Sequence, residues 1–165
     1  MKRFAFLKYV LIGLGIVAVV VAASLFFNRG AHVRLSGKIL KTRVVQTDTN
    51  SAVMVFDVRL TNPAAVPFLV KDVAVRLTEE NGAEVEGDRV AQMDLDRLLD
   101  YYKYHGPRYT PMLLARERIK PGETLDRTIA GSFPRSEKQI DQRKGLILRI
   151  ADSDGTFTDI AEIRQ

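Results

Sequence analysis

An uncharged apolar run near the N-terminus, from Tyr9 to Phe27, limits how this chain can fold more than any other segment. A helix of nineteen residues rises about 28 Å, which is close to the thickness of the hydrocarbon core of a bilayer. The run therefore predicts a single transmembrane helix over residues 9–27, a signal anchor. Such a span leaves residues 33–165 to fold as one domain outside the bilayer.

Basic residues flank this run unequally. Three of them precede it within residues 1–8, whereas Arg29 is the nearest one after it. Because an excess of Lys and Arg marks the cytoplasmic side, residues 1–8 are predicted to be a cytoplasmic N-terminus. The span would then lie in the cytoplasmic (inner) membrane, with the soluble domain on its periplasmic or extracellular side. Residues 28–32 would form a short tether that holds this domain near the bilayer.

A cleaved signal peptide is the alternative interpretation of the same run. Val21, Ala22 and Ala23 offer the small residues that a cleavage site needs. The apolar side chains of residues 25–27 continue beyond that site, and the run is longer than a typical signal core. A retained anchor is therefore favoured.

Small residues recur on one face of the predicted span, at Gly15, Ala18 and Ala22. Small side chains allow two membrane helices to approach closely. This face is therefore a candidate for packing against a second helix in the membrane.

The net charge of +5 belongs mainly to the N-terminal segment. Four of the 25 basic residues and none of the 20 acidic residues lie before residue 30, so the rest of the chain is close to neutral. A nucleic-acid-binding domain needs a basic face, and this charge balance argues against that partner. The absence of Cys excludes thiol catalysis and iron–sulfur ligation, and two His are too few for most His-based metal sites. We expect no cofactor and no metal.

Residues 33–165 show the alternation of apolar and polar side chains that is typical of β-strands. The clearest strand covers residues 51–61, where one face carries Ala52, Met54, Phe56, Val58 and Leu60. Similar segments occur at residues 33–45, 68–78, 83–87, 113–119, 124–133, 145–151 and 156–163. About seven or eight strands without βαβ alternation predict a mainly β fold, a two-layer antiparallel sandwich over residues 33–165.

The pattern changes to that of a helix within residues 91–105. Apolar side chains recur three and four residues apart at Leu95, Leu98, Leu99 and Tyr102. Asp94 is the expected N-cap of this helix. The sequence therefore predicts one short helical insert in the strand series.

The stretch Val-Arg-Leu-Thr-Asn-Pro-Ala-Ala-Val-Pro-Phe, from Val58 to Phe68, resembles the strand–Asn-Pro–strand signature of LEA14-like (WHy-type) domains. The turn Lys-Pro-Gly-Glu at residues 120–123, followed by a strand that ends in Phe133-Pro134, is similar to that family too. The resemblance covers roughly residues 33–163. It implies an immunoglobulin-like or fibronectin-III-like β-sandwich without catalysis. It also implies an alternative function, stress protection or binding of a lipid or other apolar ligand near the membrane.

Three acidic groupings are candidates for chemistry. The segment 152–155, Asp-Ser-Asp-Gly, resembles half of a calcium loop, but Ile163 occupies the position of the required bidentate Glu. Acidic residues alternate along residues 84–88, and Asp96 and Asp100 share a helix face. A hairpin turn explains the first grouping, and solvated faces explain the other two. The sequence predicts no catalytic residue, and we expect that the protein is not an enzyme.

The segment from Tyr101 to Tyr109 holds four of the five tyrosines of the chain. Because Tyr and Arg are enriched in binding hot spots, this segment is a candidate surface for a protein partner. The candidate contact residues are Tyr101, Tyr104, His105, Arg108 and Tyr109. The sequence thus favours a membrane-anchored, non-enzymatic β-sandwich module that binds a protein, as an accessory subunit of a membrane complex.

Overall fold

The computed structural model describes residues 12–24 and 34–162. The chain divides into two compact units, residues 1–32 and 33–165. In the first unit, residues 12–24 form a helix, α1. The second unit contains the strands.

The predicted transmembrane helix over residues 9–27 is wrong. Of this segment, the structure describes residues 12–24, which belong to helix α1. Within the described ranges, no helix is both long enough and apolar enough to cross a membrane. The prediction that the chain spans the inner membrane once, with its domain on the periplasmic or extracellular side, is corrected with it. The prediction of a membrane span rested on the hydropathy and length of the apolar run. The predicted cytoplasmic N-terminus, residues 1–8, and the predicted tether, residues 28–32, lie outside the described residues.

Strands dominate the second unit, and the predicted mainly β, antiparallel fold is confirmed. The strands are β1 Ser36–Asp48, β2 Ser51–Thr61, β3 Phe68–Thr78, β4 Glu84–Arg89, β5 Arg118–Ile119, β6 Thr124–Phe133, β7 Gly145–Asp152 and β8 Phe157–Ala161. The helices are α2 Gln92–Tyr101, a 3-10 turn Lys103–His105 and α3 Glu137–Asp141. Helix α3 begins with a capping box in which Ser136 and Gln139 bond reciprocally.

The strands form one continuous sheet in the order β1-β2-β6-β4-β3-β7-β8, with β5 paired to β3. Strand β4 connects the two layers of the sandwich, because its first residues pair with β3 and its last two pair with β6. One layer is therefore β1-β2-β6, and the other is β3-β7-β8. Strands β1 and β8 are the two ends of the sheet.

Fully buried side chains from both layers fill the space between them. The alternating residues of β2 that the sequence assigned to the core are all buried, and so are Phe68, Phe133 and Leu148. Gly87 of β4 lies against the Phe133 ring, where a Cβ atom would come within 2.5 Å of Cζ. The close approach of this backbone to the ring leaves no room for a larger residue at position 87.

Asn62 connects the two segments that suggested the LEA14-like resemblance. This side chain is fully buried, and its amide group donates to the carbonyl oxygens of Val66 at 2.9 Å and Ile119 at 3.1 Å. Its Oδ1 accepts from the backbone N–H of Ala64 at 3.1 Å. Its own N–H and C=O bond to the backbone of residues 122–123. The Asn-Pro turn is therefore a structural junction between β2 and the turn before β6.

Two local predictions differ from the structure. The strand expected over residues 113–119 is reduced to Arg118–Ile119, because a turn forms in which Leu114 accepts from the N–H of Glu117 and Arg116 has φ +65°. Helix α2 begins three residues earlier than the predicted cap allows. Its N-cap is Ala91, and Asp94 lies in its first turn, where a carboxylate favours the helix dipole.

Candidate partner-binding surface

Helix α2 covers the outer face of the β1-β2-β6 layer. Leu95 and Leu99 are buried against this face, and Met112 joins them from the loop after the helix. The sheet side of this second apolar cluster consists of Val45, Val53, Val55 and Ala130. The valines of β2 that point away from the main core are therefore covered, and the insert is packed on the sheet along its length.

A buried polar cluster lies on the same outer face, beside the valines. Arg43 of β1 and Asp57 of β2 form an ion pair, with Nη2 3.5 Å from Oδ2. Thr128 of β6 donates to the other carboxylate oxygen of Asp57 at 3.0 Å. The Thr128 hydroxyl is also 2.9 Å from that of Thr110, which lies in the loop. The cluster therefore joins three strands to the segment that follows α2.

Arg43 fixes the path of this segment most directly. Its Nη1 donates to the backbone carbonyl oxygens of His105 at 3.1 Å, Gly106 at 3.4 Å and Pro107 at 2.9 Å. Because Nη1 carries only two hydrogens, the three acceptors share them, and the contact with Gly106 is the longest. One buried side chain thus holds three consecutive peptide groups of the loop against the sheet.

The aromatic surface is defined here as Tyr101, Tyr104, His105 and Tyr109. The three tyrosines are 81%, 79% and 59% exposed. The Tyr104 and His105 rings pack at 4.2 Å between centroids, and both lie near the half-buried ring of Tyr102. Large aromatic side chains thus project from the end of α2 and from the following segment, which the sheet holds in place.

Two cations lie beside Tyr109. Lys41 Nζ is 5.3 Å from its ring centroid, and Arg43 Cζ is 4.9 Å from it on the side of the sheet. A positive charge over an aromatic face is an attractive arrangement. Gly106 approaches this residue so closely that a Cβ would come within 2.7 Å of the tyrosine oxygen. Tyr109 is therefore partly a support of the loop and partly a surface residue.

Arg108 differs from the other predicted contact residues. Its Nε donates to Asp96 of α2 at 2.8 Å, and its Nη1 donates to the carbonyl oxygen of Thr110 at 3.1 Å. This side chain ties the loop to the helix, so it supports the aromatic surface instead of extending it. The structure brings the other four candidates together within one exposed segment.

Sequence reasoning missed the buried residues that position this surface. The sequence did contain an indication of them, because Asp57 lies on the same strand face as Val53 and Val55. When such an apolar face is covered, the buried charge needs a partner. The partner, Arg43, could not be assigned without the pairing register of β1 and β2. Met93 of α2, 70% exposed, is a further apolar residue on the outer side of the insert.

The acidic groupings have structural roles. In segment 152–155, Asp152 accepts from the backbone N–H groups of Leu69 and Ser153, and Asp154 caps the turn by accepting from Thr156. Glu86 lies 4.0 Å from Arg76 on the neighbouring strand. The described part of the chain contains no group of three or more His, Cys, Asp or Glu that could hold a metal ion.

Two carboxylates away from the surface have shifted pKa values. The hydrogen bond from Arg59 lowers the pKa of Asp126, and partial burial opposes this shift. The hydrogen bond from Arg149 lowers the pKa of Asp159 in the same way. Both are cross-strand pairs that stabilise the sheet surface, and neither lies in the aromatic surface.

The small residues Gly15, Ala18 and Ala22 all lie on α1, and each is exposed in the structure. A side chain added at Gly15 would meet no atom within 4 Å. Packing of this face against another helix stays a prediction.

Two concave regions of the second unit lie at its surface. One is a polar depression formed by Glu79, Glu80, Asn81, Gln139 and Gln142. Another lies in the loop around Leu114 and Arg116. Neither opens into the interior between the layers, where the phenylalanine side chains of the core are fully buried.

Comparison with known proteins identifies structures of similar architecture. No family model matches the sequence, and no curated protein matches it. The protein described as ApaA from Bordetella pertussis has 17% identity and a TM-score of 0.37, over 79% of this chain and 89% of its own. The archaellum periplasmic stator protein FlaG from Sulfolobus acidocaldarius has 13% identity and a TM-score of 0.33, over 77% and 98%.

A third solved structure is an uncharacterized β-sandwich protein from Clostridium difficile. It has 11% identity and a TM-score of 0.33, over 78% of this chain and 80% of its own. Likenesses at these scores support no functional argument. None of these comparisons shows that the chain belongs to the LEA14-like family.

Proposed function

We propose that this chain is a non-enzymatic β-sandwich module that binds a protein partner through its aromatic surface. The observation that carries the proposal is the exposure of Tyr101 at the end of α2, and of Tyr104 and Tyr109 in the following segment, which Arg43 fixes to the sheet. Tyr side chains supply a large contact area with few rotatable bonds, so little conformational freedom is lost when they bind.

The anchoring of the loop adds to this argument. A segment that is already ordered before binding avoids the entropic cost of ordering in the complex. Here the loop is held by Arg43 from the sheet and by the Arg108–Asp96 pair from α2. These buried and half-buried contacts support recognition by the exposed rings without taking part in it.

The filled interior weighs against the alternative function, binding of a lipid or other apolar ligand. Such a ligand would need a cavity between the layers that accepts most of its surface. Phe56, Phe68 and Phe133 are fully buried there, and Gly87 lies against the Phe133 ring. No observation among the described residues favours stress protection specifically.

Substitution of two exposed tyrosines tests the proposal. The variant Y101A/Y104A should no longer co-purify with the partner that the wild-type protein binds in native cells. The domain should stay folded, because both side chains project away from the core. The matched control is F157A, which removes a half-exposed ring of β8 that contacts Arg149 of β7. Equal recovery of the same partner with Y101A/Y104A and the wild-type protein would refute the proposal, provided that both unfold at the same denaturant concentration.

A further inference from the structure

Strand β1 is bonded along one side only. Its 13 residues pair with β2, and in the described part of the chain no other strand pairs with its opposite side. A strand at the end of a sheet presents a row of unpaired N–H and C=O groups. These groups can accept an additional strand from another molecule.

The end of β8 approaches β1 from the other layer without pairing with it. The backbone N–H of Leu35 donates to Thr158 at 2.9 Å, and the hydroxyl of Thr42 donates to Glu162 at 3.2 Å. Between these contacts lies an open groove of about 330 Å³, lined by residues 37–42 and the end of β8. Residues 37–42 of the β1 edge therefore face a groove, whereas Gln46 further along β1 accepts from the backbone N–H of Glu137 in α3 at 3.3 Å.

Positive charge borders this groove, although the charge of Lys38 also helps to lower the pKa of Asp126 on β6. Lys38 and Lys41 are exposed, and neither forms an ion pair with another described residue. The acidic residue at the rim, Glu162, is already bonded to Arg143, with Nη2 at 2.6 Å and Nε at 3.0 Å. A second copy of β1 would bring lysines opposite lysines, which is unfavourable. The charges thus favour an acidic occupant.

The two faces of β1 differ along this edge. Ile39 packs against the main core, whereas Lys41 lies on the outer face beside the Tyr109 ring. Leu40 is half-exposed at the irregularity between Ile39 and Lys41. A strand added here would place alternate side chains next to apolar residues and next to lysines.

We infer that the β1 edge binds an extended acidic segment of a protein partner, in which apolar residues alternate with Asp or Glu. The segment would extend the β1-β2-β6 layer by backbone hydrogen bonds. Its carboxylates would contact Lys38 and Lys41, and its apolar side chains would lie on the groove side. Tyr101 and Tyr104 do not line this groove, although Lys41 also lies beside Tyr109.

Hydrogen–deuterium exchange of the full chain with synthetic peptides tests the inference. A peptide of alternating Val and Glu should slow exchange of the unpaired amides in residues 37–42 about ten-fold, because paired amides exchange more slowly. A peptide of alternating Val and Lys should not. A Val-Glu peptide with central prolines should also fail, since proline cannot donate to a ladder.

Charge reversal supplies the matched variants. K38E/K41E should bind the Val-Glu peptide about ten-fold more weakly, because two attractions become repulsions. K71E/K144E, with the same change of charge on exposed lysines of the other layer, should bind like the wild type. The inference is overturned if β1 amides gain no protection, if the Val-Lys peptide protects them equally, or if K71E/K144E is weakened as much as K38E/K41E. Y101A/Y104A should bind the peptide normally, so either proposal can fail alone.

Discussion

Arg43 and Asp57 form an ion pair between β1 and β2, with Nη2 3.5 Å from Oδ2, beneath the segment that carries the exposed tyrosines. Both side chains are nearly inaccessible to solvent. Removing two charges from water costs free energy of folding. The hydrogen bond from Thr128 to Asp57, and those from Arg43 to the loop carbonyl oxygens, help to offset this cost. The pair therefore couples the strand pairing to the position of the aromatic surface.

Replacement of Arg43 by Met should release the loop from the sheet. We expect the free energy of unfolding to fall by about 3 kcal/mol, because Asp57 and three carbonyl oxygens lose their donor. Urea denaturation measures the loss, and faster amide exchange over residues 102–110 should accompany it. R59M, which removes an exposed arginine from the same layer, is the control and should have a far smaller effect. A loop that exchanges at the wild-type rate in R43M would contradict the assigned role.

The buried Asn62 amide should be essential for stability. Asn62→Ala leaves the carbonyl oxygens of Val66 and Ile119 without a donor, and we expect a loss of about 3 kcal/mol in the free energy of unfolding. Asn81→Ala removes hydrogen bonds of an exposed turn, which water replaces, and should cost less than about 1 kcal/mol. Comparable denaturation midpoints for the two variants would show that the junction is not required.

Gly87→Ala should destabilise the sandwich by overpacking. The added methyl group would collide with the Phe133 ring, at a cost of about 1–3 kcal/mol. Gly145→Ala is the matched control, because its Cβ would lie 3.6 Å from Thr78 Oγ1, an ordinary contact. Thermal unfolding of both variants checks this prediction, and it fails if G87A melts at the wild-type temperature.

The cross-strand pairs predict a dependence of stability on pH. Since hydrogen bonds from Arg59 and Arg149 lower the pKa values of Asp126 and Asp159, the stabilisation is complete above the ordinary Asp value of 3.8. It disappears as the pH falls through the lowered pKa values. The double variant D126N/D159N should therefore be less stable than the wild type at pH 5, and the difference should shrink towards pH 2. Urea titrations across this range test it, and a difference that persists at low pH would exclude this origin.

The sequence predicted the strands best where one face is continuously apolar. Strand β2 and strand β6 begin and end at the predicted residues, because alternation and flanking turn residues agree there. The 113–119 segment has the composition of a strand, yet hydrogen bonds of Glu117 close a turn within it. The local pattern could not reveal this competition.

The N-terminal helix and the surface show two other limits of the sequence. Hydropathy over residues 9–27 predicted a membrane span, but no helix within the described ranges is long enough and apolar enough to cross a membrane. Clustering of tyrosines indicated the aromatic surface. Its support by Arg43 depends on the register of β1 against β2, in which Arg43 lies opposite Val55. Long-range pairing of this kind leaves no periodic signal in either segment.

Photo-crosslinking in native cells tests partner binding at the aromatic surface most directly. A photoreactive residue replaces Tyr104 in one variant and Phe157 in the other. Phe157 lies on β8 and is half-exposed, so it serves as the control position. We predict one discrete crosslinked protein from position 104, absent from position 157 and abolished by an additional Y101A substitution. The account would be contradicted if position 104 yields no crosslinked protein, or if positions 104 and 157 yield the same set.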